Sequence, residues 1–336
     1  MTLHIATSLY VRPDVRRGMR LPVAFLSDGW LMGPCARDPE VHVRIRADFW
    51  AFWPSSKGER AAYTASYRRG LKTLAADEPI VVWSSPMWND RVAVWALCSF
   101  RLLYRPTQPD LSLVVVGEVV PADPPLLFDE GYVRVNPALV RRAWESVRPL
   151  SASQVREKAR FWKKLTAPAP ILSGKPLRET PSRKELFEMG AYQAAFFPRL
   201  SERGLSLSTL DAVLLGCVNE TPSSPAQIIG REGEQGEILK WMHLTGDIIL
   251  FERLAQWAKH GPSPALHAEP WQAPNGWQTA RYTLTSAGRA ILRDGLTSIH
   301  QAPPLPIWGA TAYDPEEPWV VVEEAGNRPH LRRLGA

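Results

Sequence analysis

Two aspartates stand where the chain leaves an apolar, strand-like run. Asp28 follows residues 23–26 within "FLSDGW", and Asp90 follows the run "EPIVVWSSPMWN". Because ligands of open parallel sheets bind outside the carboxyl ends of the strands, both carboxylates would border one crevice, where they could act as general acid and general base. Each also has a local interpretation, since Asp28 before Gly29 suits a turn and Asn89-Asp90 suits a helix N-cap.

The same loops offer groups that would bind a ligand without catalysis. Polar side chains there are joined by two tryptophans, which would form the apolar walls of a pocket. The expected ligand-binding residues are Ser8, Asp28, Trp30, Trp88, Asp90 and Arg91.

Other catalytic and cofactor-binding patterns are missing from the sequence. It has no G-x-S-x-G nucleophile motif and no glycine-rich phosphate loop, and Cys35 has no obvious histidine partner. His243, His260 and His267 lack the spacing of metal ligands. We therefore predict no metal site and identify no cofactor.

The N-terminal part alternates strand-like and helical segments. "LHIAT", "VAFL", "EPIVVWSS" and "LSLVVVGEVV" have the apolar character of strands, and helical signals cover residues 44–74, broken by "PSSKGE", and "RVAVWALCSFRLLY". This alternation is typical of an open α/β layer with parallel strands. We predict a Rossmann-like α/β domain over residues 1–135, followed by a helical connector over residues 136–204.

The C-terminal part has the element order of a winged helix. Ser208 would cap a first helix, Pro225 begins a short second one, and "TGDIILFERLAQWAKHG" reads as a third. "PALHAEP" and "ARYTLT" would form the wing, and a last helix would follow a cap at Thr285 or Ser286. We predict a winged-helix-like domain over residues 205–300, then a strand pair and tail over residues 301–336.

A winged helix raises the hypothesis of a DNA-binding regulator. Its third helix would meet base edges with its N-terminal residues, and Arg253, Lys259 and Arg281 are the basic candidates. That helix begins "TGDIIL", which is acidic and apolar where base and phosphate contacts need donors. Specific DNA binding is disfavoured, and a role in docking on protein is the better interpretation.

Composition restricts the class of protein further. The net charge of +6 arises from 40 Lys and Arg against 34 Asp and Glu, without a block of like charges. The three cysteines form no C-x-x-C pair, and no apolar run approaches the ~18 residues of a membrane helix. These features predict a cytoplasmic protein without membrane partners.

Several segments together resemble a known family. They are "LHIATS", "FLSDGWLMGP", "VVWSSPMWNDRVAVWAL", "FWKKLTAPAP", "FPRLSERGLSLSTLDAVLL", "ARYTLTSAGRAIL" and "IWGATAY". In this order the chain is similar to the bacterial proteins catalogued as domain of unknown function 1835. Asp28, Gly33 and Asp90 fit the family pattern, whereas its Gly-Asp-Ser turn is Ala6-Thr7-Ser8 here and its Asp-Gln is replaced by Asn89-Asp90-Arg91. The resemblance implies an α/β N-terminal part, a helical C-terminal part and no particular reaction.

These observations lead to one expectation and two alternatives. We expect a bacterial binding or accessory protein that holds a small ligand or a peptide at the strand ends and docks on a protein partner through its C-terminal domain. The first alternative is an enzyme of unrecognised class that acts on a nucleotide or peptide with Asp28 and Asp90. The second is the DNA-binding regulator.

Overall fold

The structure, a computed structural model, describes residues 2–7, 11–26, 28–31, 33–51, 59–120, 132–173, 184–229, 247–272, 278–304, 308–309, 316–322 and 330–334. The chain divides into two compact units. The α/β unit comprises residues 1–125, 129–168 and 307–311, and the C-terminal unit comprises residues 126–128, 169–306 and 312–336. Each unit is described by itself below.

Helices and strands alternate along the α/β unit and follow a different order in the C-terminal unit. The α-helices are α1 (Val11–Met19), α2 (Pro39–Ala51), α3 (Glu59–Ala75), α4 (Trp88–Tyr104), α5 (Pro137–Trp144), α6 (Ala152–Leu165), α7 (Lys184–Ala194), α8 (Thr209–Gly216), α9 (Pro225–Ile229), α10 (Asp247–Trp257) and α11 (Ser286–Asp294). The strands are β1 (Leu3–Ala6), β2 (Ala24–Phe25), β3 (Gly33–Pro34), β4 (Ile80–Ser84), β5 (Leu111–Val115), β6 (Glu118–Val120), β7 (Tyr132–Arg134), β8 (Arg148–Pro149), β9 (Arg199–Ser201), β10 (Gly204–Ser206), β11 (Leu266–Gln272), β12 (Gln278–Leu284), β13 (Trp308–Gly309), β14 (Trp319–Val322) and β15 (His330–Arg333).

The main sheet of the α/β unit has the strand order β2-β1-β4-β5-β8. Pairing is parallel from β2 through β5, and β8 joins antiparallel at the edge. Every residue of β4 is buried, as the continuous apolar run "IVVWS" requires of a central strand covered on both faces. The predicted α/β architecture with parallel strands is therefore confirmed.

Helices cover the two faces of this sheet. One face presents Ala6, Val81, Trp83 and Val114, which pack with residues of α1 and α5 in one apolar cluster. Alternation along a strand turns Val82 to the other face, where α3 and α4 contact the strands. Because α4 lies between the sheet and α6, it is buried on nearly all sides.

Two helix starts in this unit differ from the sequence predictions. α1 follows β1 and was missed, although Val11 and Val15 have helical spacing and are both buried. α4 begins at Trp88, and its N-cap residue Met87 forms no side-chain cap, so the predicted cap at Asn89 and Asp90 is wrong. Both residues lie in the first turn, where Asp90 bonds elsewhere.

Arg101 of α4 holds together the segments that enter the sheet. Its buried guanidinium donates to the carbonyl oxygens of Pro109 and Leu74 at 2.7 Å and of Glu78 at 3.1 Å. These carbonyls lie at the end of α3 and just before β4 and β5. The guanidinium also donates to the Ala76 carbonyl oxygen at 2.5 Å. Several contacts of this kind suit the rigid donor fork of arginine, and they fix where the central strands start.

In the C-terminal unit the helices α8, α9 and α10 lead to a hairpin. After α8, α9 and α10, strands β11 and β12 pair antiparallel from Leu266↔Leu284 to Gln272↔Gln278. Ser223, between α8 and α9, exchanges backbone hydrogen bonds with Tyr282 of the hairpin at 3.1 and 2.8 Å. The predicted Ser208 cap of α8 and Thr285 cap of α11 are confirmed, since both hydroxyls accept from a backbone amide.

Two strands within residues 301–336, β14 and β15, pair antiparallel, and the strands of this interval also join larger sheets. β13 pairs parallel with β3 in the α/β unit. β14 lies between β9 and β15 in a sheet of order β10-β9-β14-β15 in the C-terminal unit. The partners β3 and β9 are distant in sequence, and local patterns do not show such pairing.

Among the described residues, no helix is both long and apolar enough to cross a membrane.

Candidate functional site

The turn from β4 into α4 gathers polar side chains at the carboxyl edge of the sheet. The Ser85 hydroxyl donates to the Asp90 carboxylate at 2.5 Å and accepts from the Met87 amide at 3.2 Å. Ser84 directs its hydroxyl to the Asp90 carbonyl oxygen at 3.4 Å. All three polar residues are buried, so this turn has a defined shape set by its own hydrogen bonds.

β1 brings a further polar group to the same edge. Thr7 is buried directly after β1, and its amide and hydroxyl both donate to the Trp83 carbonyl oxygen of β4, at 3.0 and 3.3 Å. We call the region around Thr7, Ser84, Ser85 and Asp90 the switch crevice. From β1 the chain goes to β2 on one side, and from β2 it returns to β4 on the other, so the connections diverge here. Ser8 lies outside the described residues.

Asp28 is enclosed by donors instead of facing the switch crevice. Its carboxylate accepts from Arg46 at 2.6 and 2.7 Å, from the Trp50 indole at 2.8 Å and from the Tyr63 hydroxyl at 2.7 Å. The Gly29 amide adds a further bond at 2.7 Å. We call Asp28, Arg46, Trp50 and Tyr63 the Asp28 cluster. Its carboxylate oxygens are fully engaged, which argues against the acid–base role considered for Asp28.

Electrostatics keep Asp28 ionised. Burial alone would raise the pKa of Asp28, but the charge and hydrogen bonds of Arg46 outweigh burial and the pKa is lowered. Burial and the Asp28 charge raise the pKa of the Tyr63 hydroxyl, which therefore stays a donor. Burial also raises the pKa of the nearby Cys35 thiol to about 12, so Cys35 is no activated nucleophile.

An aromatic cluster of Trp30, His42, Tyr67 and Trp162 adjoins the Asp28 cluster. The His42 ring stacks on Trp30 with centroids 5.1 Å apart and lies 5.6 Å from Trp162. His42 Nδ1 accepts from the Ala36 amide at 3.2 Å, which leaves Nε2 as the protonated nitrogen, 3.8 Å from the Asp28 carboxylate. Burial lowers the pKa of His42 to about 3, so the ring is neutral.

The aromatic cluster is part of the protein interior. Trp30 is only 2% exposed, so it is not an open pocket wall as predicted. Each member carries one buried donor that finds no hydrogen-bond partner among the described residues: Trp30 Nε1, His42 Nε2, the Tyr67 hydroxyl and Trp162 Nε1. Trp30 and Trp162 meet edge to face, a geometry in which an N–H can contact a ring face.

Of the other predicted binding residues, Trp88 and Arg91 lie in the first turn of α4. The Arg91 guanidinium stacks over the Trp88 ring with its central carbon 4.8 Å from the centroid. Trp88 is buried, and Arg91 is half-buried. The neighbouring Asn89 donates its amide to the Asp28 carbonyl oxygen at 2.8 Å. This bond joins the Asn89 side chain to the main chain of the Asp28 loop. The loop and the first turn of α4 are therefore linked without either carboxylate.

Sequence reasoning missed the cationic and hydroxyl partners of Asp28. Arg46 and Trp50 lie four residues apart on α2, so one helix face presents a guanidinium and an indole N–H together. Gly33 has φ 74°, and a Cβ there would lie 2.7 Å from the Arg46 guanidinium. An Arg-x-x-x-Trp pair together with an Asp-Gly turn is the signal that could have found this cluster.

The C-terminal unit contains the same arrangement, which we call the Asp211 cluster. Arg253 donates to the Asp211 carboxylate at 2.6 and 2.7 Å, and the Trp257 indole and Ser208 hydroxyl donate at 2.8 Å. Arg253 and Trp257 are again four residues apart on one helix. A buried carboxylate held by a guanidinium, an indole and a hydroxyl therefore occurs once in each unit among the described residues.

This cluster corrects the DNA-contact hypothesis for Arg253. The side chain is 2% exposed and also donates to the carbonyl oxygens of Pro303 and Pro304, so it cannot reach a phosphate. Arg281 lies over the Trp271 ring at 4.9 Å, whereas Lys259 is exposed. Ile249 and Leu250, near the start of α10, are buried in the core instead of being available to bases.

The described residues contain no group of three or more His, Cys, Asp or Glu side chains placed to hold a metal ion. No protein-family model matches the chain, and no curated protein is significantly similar to it. The resemblance to domain of unknown function 1835 stays a prediction.

Proposed function

We propose that this protein binds a small polar ligand at the switch crevice and acts as a binding or accessory protein. The observation that carries the proposal is the strand order. With β1 beside β4, the outgoing connections part at their carboxyl ends, and Rossmann-like sheets bind ligands where this happens. The polar groups of Thr7, Ser84, Ser85 and Asp90 lie at that place.

The Asp28 cluster stabilises the loop that is bonded to this site. Its buried ion pair fixes the loop after β2, and Asn89 joins that loop to the first turn of α4. A ligand would therefore meet a preorganised turn between β4 and α4, which reduces the entropy lost on binding. Arg91 and the edge of Trp88 would border the ligand on the α4 side.

For the C-terminal unit we propose a winged-helix-like module used for docking. The order of α8, α9, α10 and a hairpin, with Ser223 in an isolated backbone bridge to Tyr282, supports that comparison. Arg253 is used internally and the start of α10 is apolar and buried, so DNA reading is not favoured. A protein partner is the expected docking surface.

Acid–base catalysis by Asp28 and Asp90 has less support than binding. Asp28 is held ionised among donors, and Asp90 bonds to the Ser85 hydroxyl. A general acid needs a proton to give and a free approach to substrate, and the Asp28 carboxylate has neither.

Hydrogen exchange tests the ligand site directly. The backbone amides of residues 84–91 would be followed in the presence of adenosine, AMP or ADP, the ligand class that such sheets commonly bind. We expect at least one probe to slow exchange in this segment in the wild type. The protection should be lost in Ser85→Ala and kept in Ser146→Ala, whose hydroxyl bonds to a carbonyl at the end of α5. No protection by any probe, or equal loss in both variants, would overturn the proposal.

A further inference from the structure

Three arginines lie around the carboxyl end of β2, beside the switch crevice. Arg12 is in the first turn of α1, directly after β1, and its guanidinium carbon is 5.0 Å from the centroid of the Phe25 ring. Arg16 is one helical turn further along α1, on the same side as Arg12. Arg69 lies on α3 next to Gly70, whose missing side chain lets the helix approach the Phe25 carbonyl oxygen. Arg12 and the segment around Arg69 thus both approach Phe25, and Arg12 also senses the charges of Arg16 and Arg69. We call Arg12, Arg16 and Arg69 the arginine cluster.

The arginine cluster has no anionic partner within the part of the chain that is described. Asp14 on α1 is the acidic residue closest in sequence, and its carboxylate is paired with Arg17 at 2.7 Å. Asp28, which follows β2, is paired with Arg46. The neighbouring Arg68 points to Glu40, with its nitrogen 3.8 Å from the carboxylate. Each of these carboxylates therefore already faces another guanidinium. Arg12, Arg16 and Arg69 have no carboxylate partner among the described residues.

Arg12 differs from an ordinary surface arginine. Its side chain is half-buried, and its Nε is inaccessible to solvent without a hydrogen-bond partner among the described residues. Partial burial, followed by repulsion from Arg16 and Arg69, lowers the pKa of Arg12. The charges of Arg16 and Arg69 repel that of Arg12, and a bound anion relieves this repulsion and offers an acceptor to the unpaired donor.

We propose that the arginine cluster binds the phosphate or diphosphate group of the ligand. Guanidinium groups form paired, charge-assisted hydrogen bonds with phosphate oxygens, and the amino end of α1 adds its positive dipole. This inference rests on the proposed function, because the anionic group would belong to the molecule in the adjacent switch crevice. The ligand class is then a phosphorylated small molecule with its phosphate toward α1 and its uncharged part toward the β4–α4 turn.

The test is a calorimetric titration of the full chain with inorganic pyrophosphate and with ADP. The variants Arg12→Gln and Arg69→Gln each remove one charge, and they lie on different helices, so a packing defect in one does not affect the other. Arg17→Gln is the matched control, since Arg17 lies on the same helix but pairs with Asp14. We expect the first two variants to weaken pyrophosphate binding about tenfold or more and the control to change it by less than about twofold. Thermal unfolding would verify that each variant is folded.

The outcomes separate this inference from the proposed function. Failure of pyrophosphate and ADP to bind the wild type at about 1 mM, or an equal loss in Arg17→Gln, overturns the anion site. Loss of pyrophosphate binding in Arg12→Gln, without protection of residues 84–91 by ADP, supports the anion site and overturns the switch crevice. Protection of residues 84–91 by ADP that persists in both Arg12→Gln and Arg69→Gln supports the switch crevice and overturns the anion site.

Discussion

At the scale of single residues, Asp28 determines how the α/β unit is joined together. Its carboxylate receives bonds from α2, from α3 and from its own loop, and its carbonyl oxygen receives one from α4. A buried ion pair contributes little net stability compared with an apolar replacement, but breaking it leaves an uncompensated charge in the interior. Asp28 is therefore a residue whose loss is costly to the folded structure itself.

The substitution Asp28→Asn should lower the free energy of unfolding by about 3–5 kcal/mol, because Arg46 would remain charged and buried without its partner. Urea denaturation of the two proteins measures the difference. Asp14→Asn is the control: its partner Arg17 is 68% exposed, and the loss there should stay below about 1 kcal/mol. A loss below about 1 kcal/mol in Asp28→Asn as well would contradict the importance of the cluster.

His42 should make stability depend on pH. Burial lowers its pKa from 6.5 to about 3, so the folded protein binds no proton there between these pH values while the unfolded chain does. The stabilisation is complete above pH 6.5 and is lost as the pH falls, at about 1.4 kcal/mol per pH unit, or about 2 kcal/mol at pH 5. The pKa of Asp28 is also lowered, but that contribution is lost only at more acidic pH.

The measurement is urea unfolding of wild type and His42→Asn at pH 7 and pH 5. Asparagine keeps an acceptor for the Ala36 amide but does not titrate, so the decrease between the two pH values should be about 2 kcal/mol smaller in the variant. Burial also lowers the pKa of His4, which gives both proteins a common decrease in the same direction. An identical decrease in wild type and variant would show that His42 is protonated in the folded protein.

At the scale of elements, close backbone contacts determine which residue fits at a position where helix propensity alone would favour another residue. Gly288 lies in α11, where alanine is favoured over glycine by about 1 kcal/mol. A Cβ at this position would lie 2.3 Å from the Ala265 carbonyl oxygen, which also accepts two bonds from Thr285. Since that carbonyl is held in place, the clash outweighs the propensity.

Gly288→Ala should therefore destabilise the C-terminal unit by about 1–3 kcal/mol. Gly216→Ala, at the end of α8, should stabilise it by up to about 1 kcal/mol, because nothing lies within 4 Å of its added Cβ. Thermal or urea unfolding of both variants provides the comparison. Stabilisation by both substitutions would mean that α11 and β11 do not approach each other this closely.

Elements were also the scale at which the sequence was most informative. Continuous apolar strands, the Ser208 and Thr285 caps and the β11–β12 hairpin follow local rules, and the structure has them. The pairing of β13 with β3 and of β14 with β9 joins residues far apart in the chain. Such pairing depends on tertiary contacts, so residue periodicity does not predict it.

At the scale of the whole molecule, the two units use the same device to bury a carboxylate. Asp28 was predicted to bind a ligand and Arg253 to contact DNA, but each forms a buried ion pair within its own unit. The candidate binding groups that remain among the described residues are Trp88, Asp90 and Arg91, and the structure adds Thr7, Ser84 and Ser85. Sequence reasoning placed Asp28 and Asp90 after strands, and the structure has them there, but which side chains face inward depends on partners such as Arg46.

We propose that a phosphorylated ligand binds at the carboxyl edge of the α/β sheet. The most direct measurement is a crystal structure of the protein grown with ADP. We expect electron density for ADP beside Ser85 at the ends of β1 and β4, with its phosphates bound to the guanidinium groups of Arg12 and Arg69. ADP bound only elsewhere, for example in the surface pocket of about 310 Å³ lined by Lys259 and His260, would contradict it.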